Sequence, residues 1–592
     1  MVKIKGCNSI LVVVFLVLCW WLDDVVTCPD VCSCDGQLFV YCNHANISEY
    51  ELSGVLSRMP TGTAYIDLSH NKLRELPDEI FAAFEQMIFL DLSHNEVTSV
   101  SRHVFKGLLN LQKIYLHHNQ IKVLTNQTFA DMGQLEEVYV NNNQISAIDT
   151  SALRGMASLT VLDLSHNVLK DVASITFSNL NALTLLDLSN NEIQSVSDFA
   201  FSSLVSLKSL HMNHNKLNSM SAAMFSGLAV LTELNMDANH LVELNRHSID
   251  PFRSSIKNFS VSRNKLKSVG SDVFRQAGML RRLDLSFNEI SVIQRGAFGG
   301  LSLDRLLLQG NRLTEVTSAM MSSCRKIDYF DLSENDLIKI NTHAFDNCRE
   351  SIYHLNLKLN ALSGILEGSF NGMTFLQTLN LANNSINYIE DYAFRDLGDL
   401  KTLDLSWNRM SVFTMATISG MKALTQFSLQ YNPLIRFEYP ESSGKTTHLN
   451  IDMNLTATDV TSNSALIRWP FKEGAQIYWS RFVTCMDTQT CAFRPQPEFL
   501  APYEKELRLT KLLPDSVYYI CVNPAFKTHS LKIQQCLFIR TNMLIVITTM
   551  PLGTPTEGQV SSAAVLHPCA IFNCFQFMIL LLLNYVVLCF KR

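Results

Sequence analysis

The chain has 592 residues, of which 47% are hydrophobic and 17% charged, with a formal net charge of −6. Its lysines and arginines are scattered rather than clustered, which argues against nucleic acid as a partner. Neither a glycine-x-serine-x-glycine elbow nor a glycine-rich phosphate loop occurs, so the expectation is a non-enzyme with no cofactor.

Lys3 and Lys5 precede an apolar run from Ile10 to Leu22. That is the layout of a secretory signal peptide over residues 1–27, with cleavage expected near Thr27. Ten cysteines lie between Cys28 and Cys536 in local groups, which fits an oxidising compartment. The first group, Cys28, Cys32, Cys34 and Cys42, lies in a segment spanning 28–60; spacing alone allows three connectivities, and a zinc site is the rival reading. Sequons at Asn46, Asn126, Asn258, Asn383 and Asn454 point, together with the signal peptide, to a glycosylated surface.

From residue 61 to 440 the chain is periodic. Sixteen asparagines recur at Asn71, Asn95, Asn119, Asn143, Asn167, Asn191, Asn215, Asn239, Asn264, Asn288, Asn311, Asn335, Asn360, Asn384, Asn408 and Asn432, nearly always 24 residues apart. Each closes a phrase such as Ile66-Asp67-Leu68-Ser69-His70-Asn71, and a period of this size denotes a solenoid. Roughly ten residues after the asparagine a phenylalanine recurs, as at Phe81, Phe105, Phe129, Phe177, Phe201 and Phe225, forming an aromatic spine under the convex side.

The phrase resembles the leucine-rich repeat, leucine-x-x-leucine-x-leucine-x-x-asparagine. The resemblance implies an α/β solenoid with a curved parallel sheet on its concave face, in which the asparagine turns inward to satisfy backbone groups at the bend. The run Cys28-Pro29-Asp30-Val31-Cys32-Ser33-Cys34 resembles the amino-terminal cap of extracellular proteins of this kind. That resemblance implies the pairs Cys28–Cys34 and Cys32–Cys42.

Residues four and six before each asparagine project from the concave strands, with another exposed position two before it. The default occupants are Asp and Ser, as in Asp67 and Ser69, Asp91 and Ser93, Asp163 and Ser165, and Asp187 and Ser189. Two stretches break the default, and such breaks are where a binding site is written over a scaffold. The first is Lys113, Tyr115, His117, Glu137, Tyr139 and Asn141, which sets two tyrosines among polar groups as a protein-binding hot spot would. The second, more basic, is Arg282, Arg305, Leu307, Tyr329 and His354. Asn258 projects from the same face between them, so a glycan there would direct binding to the flanking rungs.

Histidines stand just before the asparagine at His70, His94, His118, His166 and His214; without carboxylate partners in a four-ligand set they read as surface filler rather than a metal site. Cys324 and Cys348, 11 and 12 residues before their asparagines, are expected on adjacent rungs about 5 Å apart, close enough for a stapling disulfide.

The period stops after Asn432, and residues 442–550 carry strand and turn signals instead. Ala465-Leu466-Ile467-Arg468-Trp469 and Ile477-Tyr478-Trp479-Ser480-Arg481 read as early strands. Leu512-Leu513-Pro514, leading into Tyr518, resembles the fibronectin type III signature and its corner tyrosine, which implies an all-β sandwich. Cys485–Cys491 and Cys521–Cys536 are the expected local bridges. No cysteine-bearing carboxy-terminal cap follows Asn432-Pro433, so another element must cover the last rung; Trp407 and Tyr431 are candidates for that contact.

Residues 551–568 form a Pro, Gly, Ser and Thr linker, and the apolar run 569–592 is long enough to span a bilayer. Ser561, Ser562, Ala563 and Ala564 before it match the layout of a glycosylphosphatidylinositol signal, with Ser562 the candidate acceptor; this anchor is preferred to a spanning helix. The organisation resembles animal cell-surface recognition proteins. It implies adhesion through the concave face to a protein on the same or an opposing cell, homophilic or heterophilic. The alternative is an anchored pattern-recognition co-receptor for microbial or lipid ligands, and a matrix-binding protein is the third reading.

Overall fold

A computed structural model describes residues 28–432, apart from Gln37, Ala130, Asp131 and Ser419, and beyond them the backbone of nine strands between Arg436 and Arg540. The expected signal peptide, linker and apolar tail, with Ser562, Asn454, Cys485 and Cys491, lie outside the described residues. Among the described residues no helix is long and apolar enough to cross a membrane.

The periodic region is a leucine-rich-repeat solenoid of sixteen rungs, each contributing a short strand to one parallel sheet, from Tyr65–Asp67 to Gln426–Ser428. The register is in phase from rung to rung: Ile66 pairs with Leu90, Leu90 with Ile114, and Ile114 with Val138. Because side chains alternate along a strand, the middle residue points into the solenoid and its neighbours point out. Ile66, Leu90, Ile114, Val138 and Leu162 are accordingly inaccessible to solvent, while Lys113, Tyr115, Glu137 and Tyr139 are half-buried. No rung can bury its apolar side alone, so each depends on its neighbours.

The asparagines carry the bend. Asn191, 7% exposed, donates to Leu164 O of the preceding rung and to Leu188 O and Ser189 O of its own at 3.0–3.2 Å. Its Oδ1 accepts the Leu169 N–H of the preceding rung at 3.0 Å. One amide thus satisfies four backbone groups that would otherwise be buried without partners, and links two rungs. The same pattern runs from Asn71 to Asn432.

The residue before every one of these asparagines is in the left-handed region, with φ between 52° and 68°. In fifteen rungs it carries a side chain; only Gly310 is a glycine. That conformation costs an L-residue roughly 1 kcal/mol, and the asparagine's bonds on either side hold it. The convex face is closed by the phenylalanine spine. Phe81, Phe105 and Phe129 stack at 6.4 and 6.2 Å, Phe177, Phe201 and Phe225 at 6.0 and 6.1 Å, and Phe345, Phe370 and Phe394 at 6.4 and 5.7 Å.

At the amino end a hairpin, Ser33–Asp35 with Phe39–Tyr41, pairs its second strand in parallel with Tyr65–Asp67. Helix Glu49–Leu56 packs Leu52 and Leu56 inward, and the Glu51 carboxylate accepts the Ser48 N–H and hydroxyl at its start. Disulfides Cys28–Cys34 and Cys32–Cys42, with Cα separations of 5.8 and 4.2 Å, staple this hairpin. The first hydrophobic edge is therefore covered.

At the other end, strand Thr447–Asp452 continues the solenoid sheet, with Asn450 opposite Gln426, and Leu531–Arg540 pairs beside it. The remaining strands are antiparallel. Ala465–Arg468 lies between Thr456–Thr458 and Glu506–Leu509. Ala475–Phe482 pairs with Gln496–Phe499 and with Val517–Pro524, which pairs in turn with Leu531–Arg540 and brings Cys521 opposite Cys536.

One expectation is corrected. Cys324 and Cys348 meet on adjacent rungs, but both are buried thiols and not a disulfide. The hydrogen bond shared with Cys324, together with burial, holds the Cys348 thiol protonated.

Two outcomes are expected. Asn191→Ala removes four hydrogen bonds from a buried bend and should lower stability by about 2–4 kcal/mol, read from the denaturant midpoint. Peptide mapping after alkylation should find Cys324 and Cys348 unlabelled in the native protein and both labelled after unfolding without reductant; a Cys324–Cys348 crosslinked peptide would contradict the thiol pair.

Candidate ligand-binding surface

Parallel register turns each concave position into a column of side chains spaced by about 4.8 Å. The default Asp and Ser residues in these columns serve the scaffold. The Asp67 carboxylate accepts the Ser69 N–H, as Asp91 does from Ser93, Asp163 from Ser165 and Asp187 from Ser189, all at 2.8–2.9 Å. Each aspartate thereby closes the start of its own bend. Burial raises the carboxyls of Asp91 and Asp163 despite these bonds.

The first break in this pattern is compact. Lys113 pairs across the strands with Glu137, its ammonium 2.7 Å from the carboxylate, and Tyr115 lies edge-on to Tyr139 with ring centroids 4.8 Å apart. The Tyr139 hydroxyl donates to Glu137 at 3.3 Å. His117 touches Tyr115, while Asn141 contributes its carbonyl to the His118 N–H at 3.1 Å.

The structure extends this patch into a stripe. Tyr65 and Phe89 stack at 4.2 Å with their planes 3° apart, Phe89 meets Tyr115 at 4.9 Å, and Phe39 and Tyr41 of the cap reach Tyr65 at 5.9 and 5.4 Å. Six rings therefore cross the concave face from the hairpin to the fourth rung. The stripe is diagonal: Tyr65 and Phe89 stand six before their asparagines, and Tyr115 and Tyr139 four before theirs. Tyr65 and Phe89 were legible at the outward position, but comparing rungs only at matching positions hides a line that changes column. Burial first, then Asp67 and Asp91, pushes the Tyr65 phenol up to about 12, and burial with Glu137 does the same to Tyr139. Both phenols therefore remain hydrogen-bond donors.

The second patch also forms one column, Arg282, Arg305, Tyr329 and His354 in consecutive register. The Arg305 guanidinium lies 5.5 Å from the centre of the Tyr329 ring, whose hydroxyl donates to Asp331 at 3.1 Å. Arg282 leans toward Asp284 at 3.7 Å, and His354 meets Thr378 at 2.8 Å. Leu307 stands opposite Asp284 and Asp331 in the column four before the asparagine and is only 7% exposed, so it adds little to the surface. Five strands, from Val161–Asp163 to Asn258–Ser260, separate the two patches. They are distinct surfaces.

Between them the face is acidic and centred on His211. Its Nδ1 lies 3.4 Å from Asp187 and its Nε2 3.0 Å from the Ser209 hydroxyl and 4.0 Å from Glu233. Hydrogen bonding to Asp187 outweighs burial and raises His211 above its ordinary 6.5, with Glu233 and Asp163 adding to the effect. Burial would raise Asp187, but bonds from His211 and Ser189 bring it below the usual carboxylate range. Asn258, opposite Glu233 and Arg282, is exposed, as are the sequon asparagines Asn46, Asn126 and Asn383.

A second set of columns follows from the left-handed residues. His44, His70, His94 and His118 stack face to face at 4.1–4.2 Å, and Trp407 stacks on Tyr431 at 4.0 Å with 55% and 47% exposure. Burial and the neighbouring imidazoles depress His94 to about 4.

The fold is a parallel-sheet solenoid of leucine-rich repeats with an aromatic stripe on its concave side. The sequence model of the leucine rich repeat matches residues 61–121, 89–145, 133–193, 183–241, 254–313, 325–386, 350–410 and 374–434. These segments cover more than half of the chain, which belongs to the leucine-rich-repeat family. No curated protein sequence matches it. Among solved structures it is similar to the Toll–Spatzle complex of Drosophila, at 23% identity and a TM-score of 0.60, over 68% of this chain and 54% of that one. The glycosylated form of that complex gives 22%, 0.58, 68% and 55%. A leucine-rich-repeat protein of Leptospira interrogans is 21% identical with a TM-score of 0.49, covering 61% and 94%. The chain spans about half the length of the Toll-complex chains it matches, and at these identities the likeness is one of fold.

The His211 arrangement has a testable sign. A histidine raised in the folded state stabilises fully below its unfolded value near 6.5, and the contribution is lost as pH rises through the folded value. The denaturant midpoint should therefore fall between pH 6 and pH 8.5 by more in the native protein than in His211→Asn.

Proposed function

We propose that this chain is a non-catalytic recognition protein of the cell surface, which binds a protein partner through the amino-terminal rungs of its concave face. One observation carries the reading: the six-ring stripe formed by Phe39, Tyr41, Tyr65, Phe89, Tyr115 and Tyr139, edged by the Lys113–Glu137 pair. Half-buried aromatics with phenolic donors, flanked by charge, are the composition of binding hot spots. A rigid sheet presents them with little ordering cost on association. The Arg282 to His354 column offers a second, basic contact, and a glycan on Asn258 would separate the two. The Toll–Spatzle complex, similar in fold, pairs Toll with a protein. That favours a protein partner over the microbial or lipid ligand of a co-receptor.

The segment 442–550 acts in this reading as a fibronectin type III stalk. Its support is the strand pairing itself: one group built on Ala465–Arg468, and a second running from Gln496–Phe499 through Ala475–Phe482 and Val517–Pro524 to Leu531–Arg540. An anchor at the carboxy end, by lipid at Ser562 or by a spanning helix, would hold the face outside the cell. Adhesion, homophilic or to another surface protein, is the role we assign.

Mixing two differently coloured populations of non-adhesive cells, one expressing the protein, tests this directly. Clusters made only of expressing cells are expected, and Tyr115→Ala or Tyr139→Ala should abolish them at equal surface expression. A hot-spot tyrosine contributes about 2 kcal/mol, roughly a thirtyfold change in affinity. No clustering with surface expression verified would remove the homophilic form and leave a heterologous ligand.

A further inference from the structure

Beside the aromatic stripe, three histidines converge where a turn column meets a concave column. His94 and His118 are the left-handed residues before Asn95 and Asn119, and His117 is the outermost concave position of the same rung as His118. The rung register is fixed there by the bond from His94 N–H to His117 O at 3.0 Å. The rings of His94 and His118 stack at 4.1 Å, and His117 stands across both, with centroids 5.5 and 5.4 Å away and planes 81° and 76° from theirs. One nitrogen from each ring lies within 4.8 Å of the other two. The His117 Nδ1 is buried and has no hydrogen-bond partner. A buried, unpaired imidazole nitrogen is an unmet interaction of the kind a ligand satisfies.

We propose that His94, His117 and His118 form a binding site for a Zn²⁺ ion. Three imidazole nitrogens select a borderline transition-metal ion over Mg²⁺ or Ca²⁺, which prefer oxygen. Zinc takes nitrogen ligands at about 2.0–2.1 Å in tetrahedral geometry, with water in the fourth position. Tetrahedral donors then stand roughly 3.4 Å apart, so the present separation must close by a small movement. Two stacked parallel rings aim their lone pairs alongside one another rather than at one point. His118 is the exposed member, so the closing movement falls to it, while His117 holds a buried nitrogen without a partner. Reading the histidines along their own column finds only a stack. The third ligand comes from the neighbouring position of the concave face, and the ring of His117 also touches Tyr115, so the ion adjoins the stripe.

The test is titration calorimetry of the full-length protein, purified in detergent without a histidine tag, with Zn²⁺ and separately with Mg²⁺. One equivalent of Zn²⁺ should bind and Mg²⁺ should not. His118→Ala, at an exposed position, and His117→Gln should each weaken Zn²⁺ at least tenfold. His166→Ala, which belongs to the turn column but not to the trio, should leave it unchanged. Circular dichroism melting of each variant checks the fold. Absence of Zn²⁺ binding overturns the assignment, and so does binding that both His117→Gln and His118→Ala retain, because the ion then sits elsewhere.

Discussion

A side-chain amide inside a bend is the interaction on which the rest of this molecule depends. Each rung must turn sharply after a strand of three to six residues, which leaves backbone groups in an apolar interior where water cannot reach them. The asparagine amide has two donors and an acceptor in the geometry those groups require, and no other side chain of its size offers both. Asn95, for example, accepts the Leu73 N–H and donates to Leu68 O and Leu92 O, so that the bend of one rung is completed by the rung before it. Repetition is built into the chemistry. The turn exists only as part of a stack.

Two functional consequences follow from that constraint. The in-phase register converts single residues into columns, so a site is assembled by repeating or shifting a choice along the sequence. The aromatic stripe is such a shift, moving from the Tyr65 and Phe89 column to the Tyr115 and Tyr139 column while ring contact continues between Phe89 and Tyr115. The left-handed residue demanded by the bend creates a further column at the rim. Its occupants, from His44 to His118 at one end and Trp407 with Tyr431 at the other, stack on one another because their backbones repeat at rung spacing. Trp407 and Tyr431 lean on each other with both rings still exposed.

The architecture was legible because its causes are local and periodic. Asparagine, the leucines before it and the phenylalanine after it each answer a need that recurs at a fixed interval, so one rung predicts the next. Tyr115, Tyr139, Arg305 and Tyr329 were legible as departures from the Asp and Ser default, since a scaffold position that abandons its scaffold residue stands out. Phe39 and Tyr41 were not, because they precede the first asparagine and enter the sheet only through the hairpin's pairing with Tyr65–Asp67. Leu307 keeps the outward register that counting from Asn311 gives it, opposite Asp284 and Asp331, yet it is only 7% exposed, which counting along the sequence does not reveal.

The sequence by itself determined the repeat, its register and the identity of the face that carries variation, because hydrophobic period and bend chemistry are written residue by residue. Tertiary structure alone decided which neighbouring columns touch and in what state they meet. Cys324 and Cys348 are brought together by the count and stand there as two buried thiols. His117 reaches His94 and His118 only because a concave column and a turn column converge at that rim. Sequence spacing measures position along one axis of the solenoid, whereas these contacts depend on where side chains point around it.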